Sequence, residues 1–201
     1  MSAQSPNLSQ PIFETWVAAD GTAITIRPIR AEDLALEQEF VNGLSAHTGY
    51  QRLMSARRPS LEELVRFTNI DPERELALIA TTPVQGRERQ IGVARYVKES
   101  SPGDAEFAIV LSDDWQGRGL GTTLLMSLVV AARGHSVRRL VGTTLSVNTG
   151  MLALGRKLGF ELATDSRSAT ITNLTLDLAA WPPAAVAAVD DSATGLEPSS
   201  G

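Results

Sequence analysis

The chain has 201 residues, of which 43% are hydrophobic and 20% charged, which suits one globular domain with a full apolar core. Its net charge of −5 disfavours nucleic acid and anionic membranes as partners. The absence of cysteine excludes disulfides, thiolate metal ligands and a cysteine nucleophile, and no apolar run approaches the ~20 residues that span a bilayer. No basic region followed by an apolar core begins the chain, so we expect a cytoplasmic location.

The two ends of the chain differ in composition from its middle. Residues 1–10 are polar and predict a mobile tail. Residues 183–201 are rich in Ala, Ser, Asp, Gly and Pro and predict a disordered tail. Because no internal repeat is visible, we expect residues 11–182 to form a single domain.

The N-terminal half predicts a strand followed by three short helices. Residues 23–27 alternate as a strand, residues 34–44 carry apolar side chains at helical spacing, and residues 50–54 suggest a second short helix. The sequence Ser60-Leu61-Glu62-Glu63 is a capping box, which predicts the start of a third helix. Asp71-Pro72 ends that helix.

Three apolar segments follow and predict an antiparallel series of strands. They cover residues 76–80, 91–97 and 106–111, with polar loops between them. The third strand leads directly into a glycine-rich turn.

The glycine-rich turn is Gln116-Gly117-Arg118-Gly119-Leu120-Gly121, and an apolar helical stripe begins at its end. A glycine turn that opens a helix presents unpaired N–H groups and the positive end of the helix dipole, which favours phosphate. A nucleoside-triphosphate loop would need lysine after the last glycine, where Thr122-Thr123 stand. A dinucleotide fingerprint read from Gly117 would need glycine at Thr122.

The C-terminal half predicts a strand–helix–strand unit. Residues 138–145 form a buried strand, and Asn148 precedes a short helical pattern. Gly159 follows that helix at the position that favours a left-handed backbone. Residues 169–178 form the last predicted strand, which makes the fold class α+β.

Two motifs carry a family resemblance. The turn from Gln116 to Gly121 resembles the pyrophosphate loop Gln/Arg-x-x-Gly-x-Gly/Ala of the Gcn5-related N-acetyltransferases (GNAT). The run Asn148-x-x-Met151, continued by Lys157-Leu158-Gly159-Phe160, resembles the second coenzyme A motif of the same superfamily.

Several shorter sequence segments resemble the acetyltransferase domain of bacterial protein-lysine acetyltransferases. The matching segments lie between Arg27 and about Glu161: Arg27-Pro28-Ile29-Arg30-Ala31-Glu32-Asp33, Asp71-x-x-x-Glu75-x-Ala77, Gly92-Val93-Ala94-Arg95-Tyr96 and Ala105-Glu106-Phe107-Ala108. The chain departs from that group by showing no acyl-CoA-synthetase-like module and by Leu53, where an aromatic residue is usual. Both departures leave the acceptor open.

The resemblance implies a GNAT fold, with antiparallel N-terminal strands, a splayed parallel pair at the coenzyme site and flanking helices. It implies acetyl-CoA as cosubstrate, with no metal. It assigns contacts with the coenzyme to Ile109, Val110, Leu111, Gln116, Gly117, Arg118, Gly119, Leu120, Gly121, Thr122, Asn148, Met151, Gly155 and Lys157. In this family a main-chain N–H of Val110 or Leu111 would polarise the thioester carbonyl.

Several of these residues have a structural alternative. Asn148 can contact the coenzyme and cap its helix at the same time. Arg118 and Lys157 can equally be solvated cations. Gly155 stands where many superfamily members place a tyrosine that protonates the leaving thiolate, so that acid is missing from its usual position.

Glu106 is the candidate general base. It lies in an otherwise apolar strand, so we expect burial to raise its pKa and suit it to deprotonate an amine. The period of the strand places Glu106 on the face of Ala108 and Val110, opposite Phe107 and Ile109. The alternative is a structural glutamate paired with Arg95.

The sequence thus predicts an acetyl-CoA-dependent N-acetyltransferase whose favoured acceptor is a protein lysine. A small-molecule amine acetyltransferase and a non-catalytic acyl-CoA sensor are the alternatives. The oligomeric state, monomer or homodimer, stays open.

Overall fold

The computed structural model describes residues 14–53 and 57–181. The predicted tails at residues 1–10 and 183–201 lie outside the described residues. The predicted helix end at Met54 also lies outside them, and the side chains of Arg52 and Leu53 are not described.

One mixed sheet organises the described part of the chain. Its eight strands lie in the order β1-β2-β3-β4-β5-β6-β8-β7, and within it only β5 and β6 are parallel neighbours. The strands are β1 (Glu14–Val17), β2 (Ala23–Pro28), β3 (Glu75–Val84), β4 (Arg87–Lys98), β5 (Asp104–Leu111), β6 (Arg139–Leu145), β7 (Glu161–Thr164) and β8 (Ile171–Asp177). The predicted α+β class with a mixed sheet is confirmed.

Five α-helices flank the sheet in the described residues. They are α1 (Leu34–Gly43), α2 (Ala46–Leu53), α3 (Leu61–Thr68), α4 (Leu120–Gly134) and α5 (Thr149–Lys157), with 3₁₀ turns at Ala31–Asp33 and Asp113–Trp115. The predicted capping box is confirmed, because the Ser60 hydroxyl accepts from the N–H of Glu63 and the Glu63 carboxylate accepts from the N–H of Ser60. Gly159 has the expected left-handed backbone, with φ of 86°.

Two strands were not predicted, β1 and β7. Each has only four residues and is largely exposed, so neither carries the apolar alternation that marks a half-buried strand. Both occupy the outer positions of the sheet and pair on one side only. Their pairing partners, β2 and β8, decide their conformation.

The two faces of the sheet carry two apolar clusters. The larger one lies under α4, whose Leu120, Leu124, Leu125 and Leu128 are fully buried. The smaller one lies on the opposite face and joins Phe40 of α1 and Leu44, the residue after α1, to Val93 and Val110 of the sheet.

The sheet opens between its two parallel strands. β5 and β6 pair only at Asp104↔Arg139, Ala105↔Leu140 and Glu106↔Val141. Beyond Glu106 the strands separate, so the second half of β5 keeps its pairing with β4 but has no strand partner on the other side. The predicted splayed parallel pair is therefore present.

Candidate active site

A cleft of about 490 Å³ occupies the opening between β5 and β6. The glycine turn and the beginnings of α4 and α5 complete its walls. Twelve of the predicted site residues line it: Glu106, Ile109, Val110, Leu111, Gln116, Gly117, Gly119, Gly121, Thr122, Asn148, Met151 and Lys157.

The glycine turn presents a row of unpaired main-chain N–H groups. Gly117 and Gly119 have φ of 72° and 90°, a backbone that residues with a Cβ rarely adopt. In the part of the chain that the structure describes, the N–H groups from Gly117 to Gly121 have no acceptor. Five such donors at the start of a 15-residue helix fit an anionic diphosphate.

The two ends of the predicted amide cradle are already engaged. The N–H of Gln116 donates to the carbonyl of Asp113 at 3.4 Å, and the N–H of Thr122 donates to the carbonyl of Gly119 at 2.9 Å. The free donors are therefore fewer than the sequence predicts, and Thr122 has only its hydroxyl to offer the cleft.

The ladder between β4 and β5 determines which amides of β5 face the cleft. The N–H of Ser112 donates to the carbonyl of Ile91, and the N–H of Glu99 donates to the carbonyl of Asp104. The main-chain N–H and C=O groups at the even-numbered positions of β5 therefore bond to β4. Antiparallel pairing alternates, so the N–H of Val110 points to β4 and that of Leu111 points into the cleft. Two main-chain N–H groups, those of Val110 and Leu111, are predicted to donate to the thioester carbonyl. Only the N–H of Leu111 lies on the cleft side.

A network of side chains joins α2 to the glycine turn. The amide Nε2 of Gln116 donates to the Thr48 hydroxyl and to the Leu111 carbonyl, both at 3.2 Å. The Asp113 carboxylate accepts from the hydroxyls of Ser45 at 2.6 Å and Thr48 at 2.7 Å. Burial would raise the pKa of Asp113, but these hydrogen bonds outweigh it and hold the pKa below its usual value.

The second motif lines the opposite wall of the cleft. The Asn148 side chain accepts from the N–H of Met151 at 3.1 Å and so caps α5, as one of its two predicted roles requires. Lys157 is exposed in the last turn of α5 and lines the cleft. Its ammonium group is thus available to a phosphate on that side.

Three predicted residues do not line the cleft. Arg118 pairs with Asp20 at 3.2 Å, and Leu120 is fully buried under the sheet. Gly155 is buried against β8, where a Cβ would lie 2.8 Å from Cδ2 of Leu174. The side chain that leaves no room for a Cβ at position 155 is therefore that of Leu174. The sequence resemblance had instead assigned Gly155 a contact with the coenzyme.

The expected burial of Glu106 is wrong. Glu106 is exposed, although its neighbours Ala105 and Phe107 are buried on either side. α1 and α2 cover the same face at Val110 but not at Glu106, which lines the cleft at the last residue pair before β5 and β6 separate. The guanidinium of Arg95 lies 4.6 Å from the centre of the Phe67 ring and donates to the Phe67 carbonyl.

A second cavity, of about 270 Å³, lies on the face of the sheet that α1 covers. Val110 lines both this cavity and the cleft. Sequence reasoning missed it because its walls come from four separate segments. The sequence did contain one indication of this cavity. Glu37 is an acidic residue three positions before Phe40, on the inward face of α1.

Comparison with known families agrees with this geometry. The family model described as "Acetyltransferase (GNAT) domain" matches residues 23–161. The chain belongs to the GNAT acetyltransferases. It is therefore an N-acetyltransferase that uses acetyl-CoA, and the free amides of the glycine turn fit the diphosphate of that molecule.

Several known proteins are similar to this GNAT chain. "Acetyltransferase PA5475" of Pseudomonas aeruginosa is 32% identical over 148 residues, which cover 72% of this chain and 80% of that protein. "Acetyltransferase Pat" of Mycolicibacterium smegmatis is 30% identical over 138 residues, which cover 67% of this chain but only 40% of that longer protein.

Solved structures show the same fold. The GNAT domain of S. lividans PAT has a TM-score of 0.74 at 24% identity and covers 87% of this chain and 99% of that one. A putative acetyltransferase from Salmonella typhimurium, solved with its cofactor acetyl-CoA, has a TM-score of 0.62 at 20% identity and covers 77% and 94%.

The described residues contain no helix that is both long and apolar enough to cross a bilayer. The same residues contain no cluster of three or more histidine and acidic side chains arranged to hold a metal ion.

Proposed function

We propose that this GNAT enzyme transfers the acetyl group of acetyl-CoA to lysine side chains of proteins. The observation that carries the proposal is the exposure of Glu106, which lines the cleft and which a residue on another protein's surface can reach. The sequence resemblance to protein-lysine acetyltransferase domains supports it.

The chain's own groups account for the requirements of acetyl transfer. Acetyl-CoA supplies an acetyl group activated as a thioester. The amides from Gly117 to Gly121 hold its diphosphate, which supplies binding energy remote from the reacting atoms. The N–H of Leu111 faces the cleft and polarises the carbonyl, a contribution of about 3 kcal/mol for one such donor.

Glu106 receives the proton of the acceptor amine. A lysine ammonium has a pKa near ~10.4, so it arrives charged at neutral pH and must be deprotonated before attack. Since Glu106 is exposed, a water molecule can relay this proton when the amine does not contact the carboxylate directly. The leaving thiolate, with a thiol pKa near ~8.5, takes its proton from water, because no tyrosine stands at Gly155.

A small-molecule amine is the second candidate acceptor. The cavity of about 270 Å³ that shares Val110 with the cleft favours it, since a cavity of this size can hold a metabolite.

The experiment compares the two acceptors directly. The protein is incubated with labelled acetyl-CoA and a cell lysate separated into protein and small-molecule fractions, and thiol release and label are measured in each. We expect label on protein lysines, and at least a hundredfold loss in Glu106→Gln. Glu99→Gln, which changes an exposed glutamate in the turn after β4, is the matched control and should retain activity.

Two results would overturn the proposal. Label confined to the small-molecule fraction would replace the protein acceptor with a metabolite. Equal activity of the Glu106→Gln and Glu99→Gln variants would remove Glu106 from the reaction.

A further inference from the structure

The cavity beside the cleft has apolar walls and one buried carboxylate. Its apolar walls come from α1, α2, α3, the residue after α1 and the sheet: Phe40, Val41, Leu44, Tyr50, Phe67, Val93 and Val110. Glu37 of α1 also lines it, although this residue is only 3% exposed. Such a group is rare in an apolar cavity, because burying an unpaired charge is costly.

The local fold fixes the position of this carboxylate. Glu37 and Phe40 lie on the inward face of α1, and the buried Leu44 follows the helix directly. On the sheet side, β4 has a register shift opposite Ala80 and Thr81, which adds one residue between Gln90 and Gly92. The shift directs Gln90 towards α1, where its Nε2 donates to Oε2 of Glu37 at 2.5 Å.

Among the described residues, no hydrogen bond or ion pair reaches the second carboxylate oxygen of Glu37. Among the described residues, Gln90 is the one side chain that bonds to Glu37, and it is neutral. Two arginines also line the cavity, and each bonds to residues other than Glu37. Arg57 pairs with Glu63 at 2.7 Å, and Arg58 donates to the carbonyl and side chain of Asn42. Glu37 thus places a carboxylate in the cavity that has no salt bridge to a cation among the described residues.

We propose that this cavity binds an ammonium group of the acceptor and that Oε1 of Glu37 receives it. An incoming cation restores the charge balance of the carboxylate, and the apolar walls hold the alkyl chain that bears it. The inference rests on the proposed function, because it assigns to the acceptor a cavity that shares the lining residue Val110 with the cleft. It adds Glu37 as a residue that determines specificity.

A binding experiment without turnover tests the cation site separately from catalysis. Calorimetry measures the affinity of hexylammonium and of hexan-1-ol for the protein saturated with coenzyme A. We expect hexylammonium to bind at least tenfold more tightly than hexanol, and Glu37→Gln to abolish that preference. Glu39→Gln, an exposed position on the same helix, is the matched control and should preserve the preference.

The outcomes separate the two proposals. If coenzyme A binds but hexylammonium has the same affinity for the wild-type and Glu37→Gln proteins, the cation site is overturned and the enzyme assignment stands. If coenzyme A itself does not bind, the proposed function fails. Circular dichroism and the unfolding midpoint establish that each variant is folded.

Kinetics with lysine peptides identify which ammonium group Glu37 receives. If it holds the reacting amine, Glu37→Gln lowers kcat/KM equally for peptides with arginine or glutamine beside the lysine. If it holds a neighbouring cationic side chain, the loss is confined to the arginine-flanked peptides. An unchanged kcat/KM for both sets overturns a role in acceptor recognition.

Discussion

The side-chain amide nitrogen of Gln116 lies 3.2 Å from the main-chain carbonyl oxygen of Leu111 and donates a hydrogen bond to it. This bond joins the first residue of the glycine turn to the last residue of β5. It therefore connects the turn that we propose to hold the diphosphate to the strand whose amide we propose to polarise the thioester.

The first prediction concerns this bond. Gln116→Ala removes two hydrogen bonds, each contributing about 1 kcal/mol, and leaves the turn free to shift against β5. We expect acetyl-CoA affinity, measured by calorimetry, to fall by roughly tenfold with little change in unfolding temperature. Gln38→Ala, at an exposed position of α1, is the control. Unchanged affinity in Gln116→Ala would show that the turn holds its shape without the side chain.

The second prediction concerns Thr48, whose hydroxyl donates to Asp113 and accepts from Gln116. Thr48→Val keeps the shape of the side chain and removes both bonds. Because Thr48 and Gln116 belong to one network, the losses of acetyl-CoA affinity in the two single variants should not add in the double variant. Additive losses would mean that the two residues act separately.

The third prediction concerns Gly155. In an open helix, replacing glycine by alanine stabilises a protein by about 1 kcal/mol. Here the new Cβ would lie 2.8 Å from Cδ2 of Leu174, so we expect Gly155→Ala to lower the free energy of unfolding by about 1–3 kcal/mol. Urea denaturation measures this change. Acetyl-CoA affinity of the folded protein should be unchanged.

A compensating variant checks the cause of that destabilisation. Leu174→Val shortens the side chain that the new Cβ meets, so the double variant should be more stable than the sum of the two single changes predicts. If Gly155→Ala stabilises the protein instead, the contact with Leu174 is not limiting.

The fourth prediction concerns the buried pair of Arg27 and Asp33, whose side chains are 2.7 Å apart. Burial would raise the pKa of Asp33, but the Arg27 guanidinium and the N–H of Arg30 outweigh it and hold the pKa below its usual value. A lowered native pKa stabilises the fold above the unfolded-state pKa of about 3.9, and the effect is lost as the pH falls through the native value.

Asp33→Asn should therefore cost about 3 kcal/mol of unfolding free energy at neutral pH, since it leaves Arg27 with Glu88 alone. The difference from the wild type should shrink as the pH falls from 5 towards 2. Unfolding midpoints across this range measure it, with exposed Glu39→Gln as the control. A difference that stays constant with pH would show that the Asp33 charge is not responsible.

Most of the fold could be predicted because its central elements carry strong local signals. α4 follows a glycine turn and repeats leucine on one face, and α3 begins at the Ser60 capping box. β1 and β7 could not be predicted, since their conformation depends on β2 and β8 more than on their own residues.

The candidate site was predicted unevenly for a similar reason. The amides of the glycine turn follow from local backbone chemistry, so the sequence was sufficient to place them. The exposure of Glu106 depends on where α1 and α2 stop covering β5, and the surroundings of Gly155 depend on β8. Both relationships depend on residues that are distant in the sequence, so local patterns do not predict them. The cavity that contains Glu37 likewise forms only where four separate segments come together.

The three residue pairs that join β5 to β6 have a consequence for the protein's mechanical behaviour. So short a seam divides the sheet into a five-stranded part and a three-stranded part that can open locally at low cost. A molecule lodged between them clamps the two parts together. Amide hydrogen exchange along β6 should therefore slow when the cleft is filled, even at positions that the bound molecule never touches.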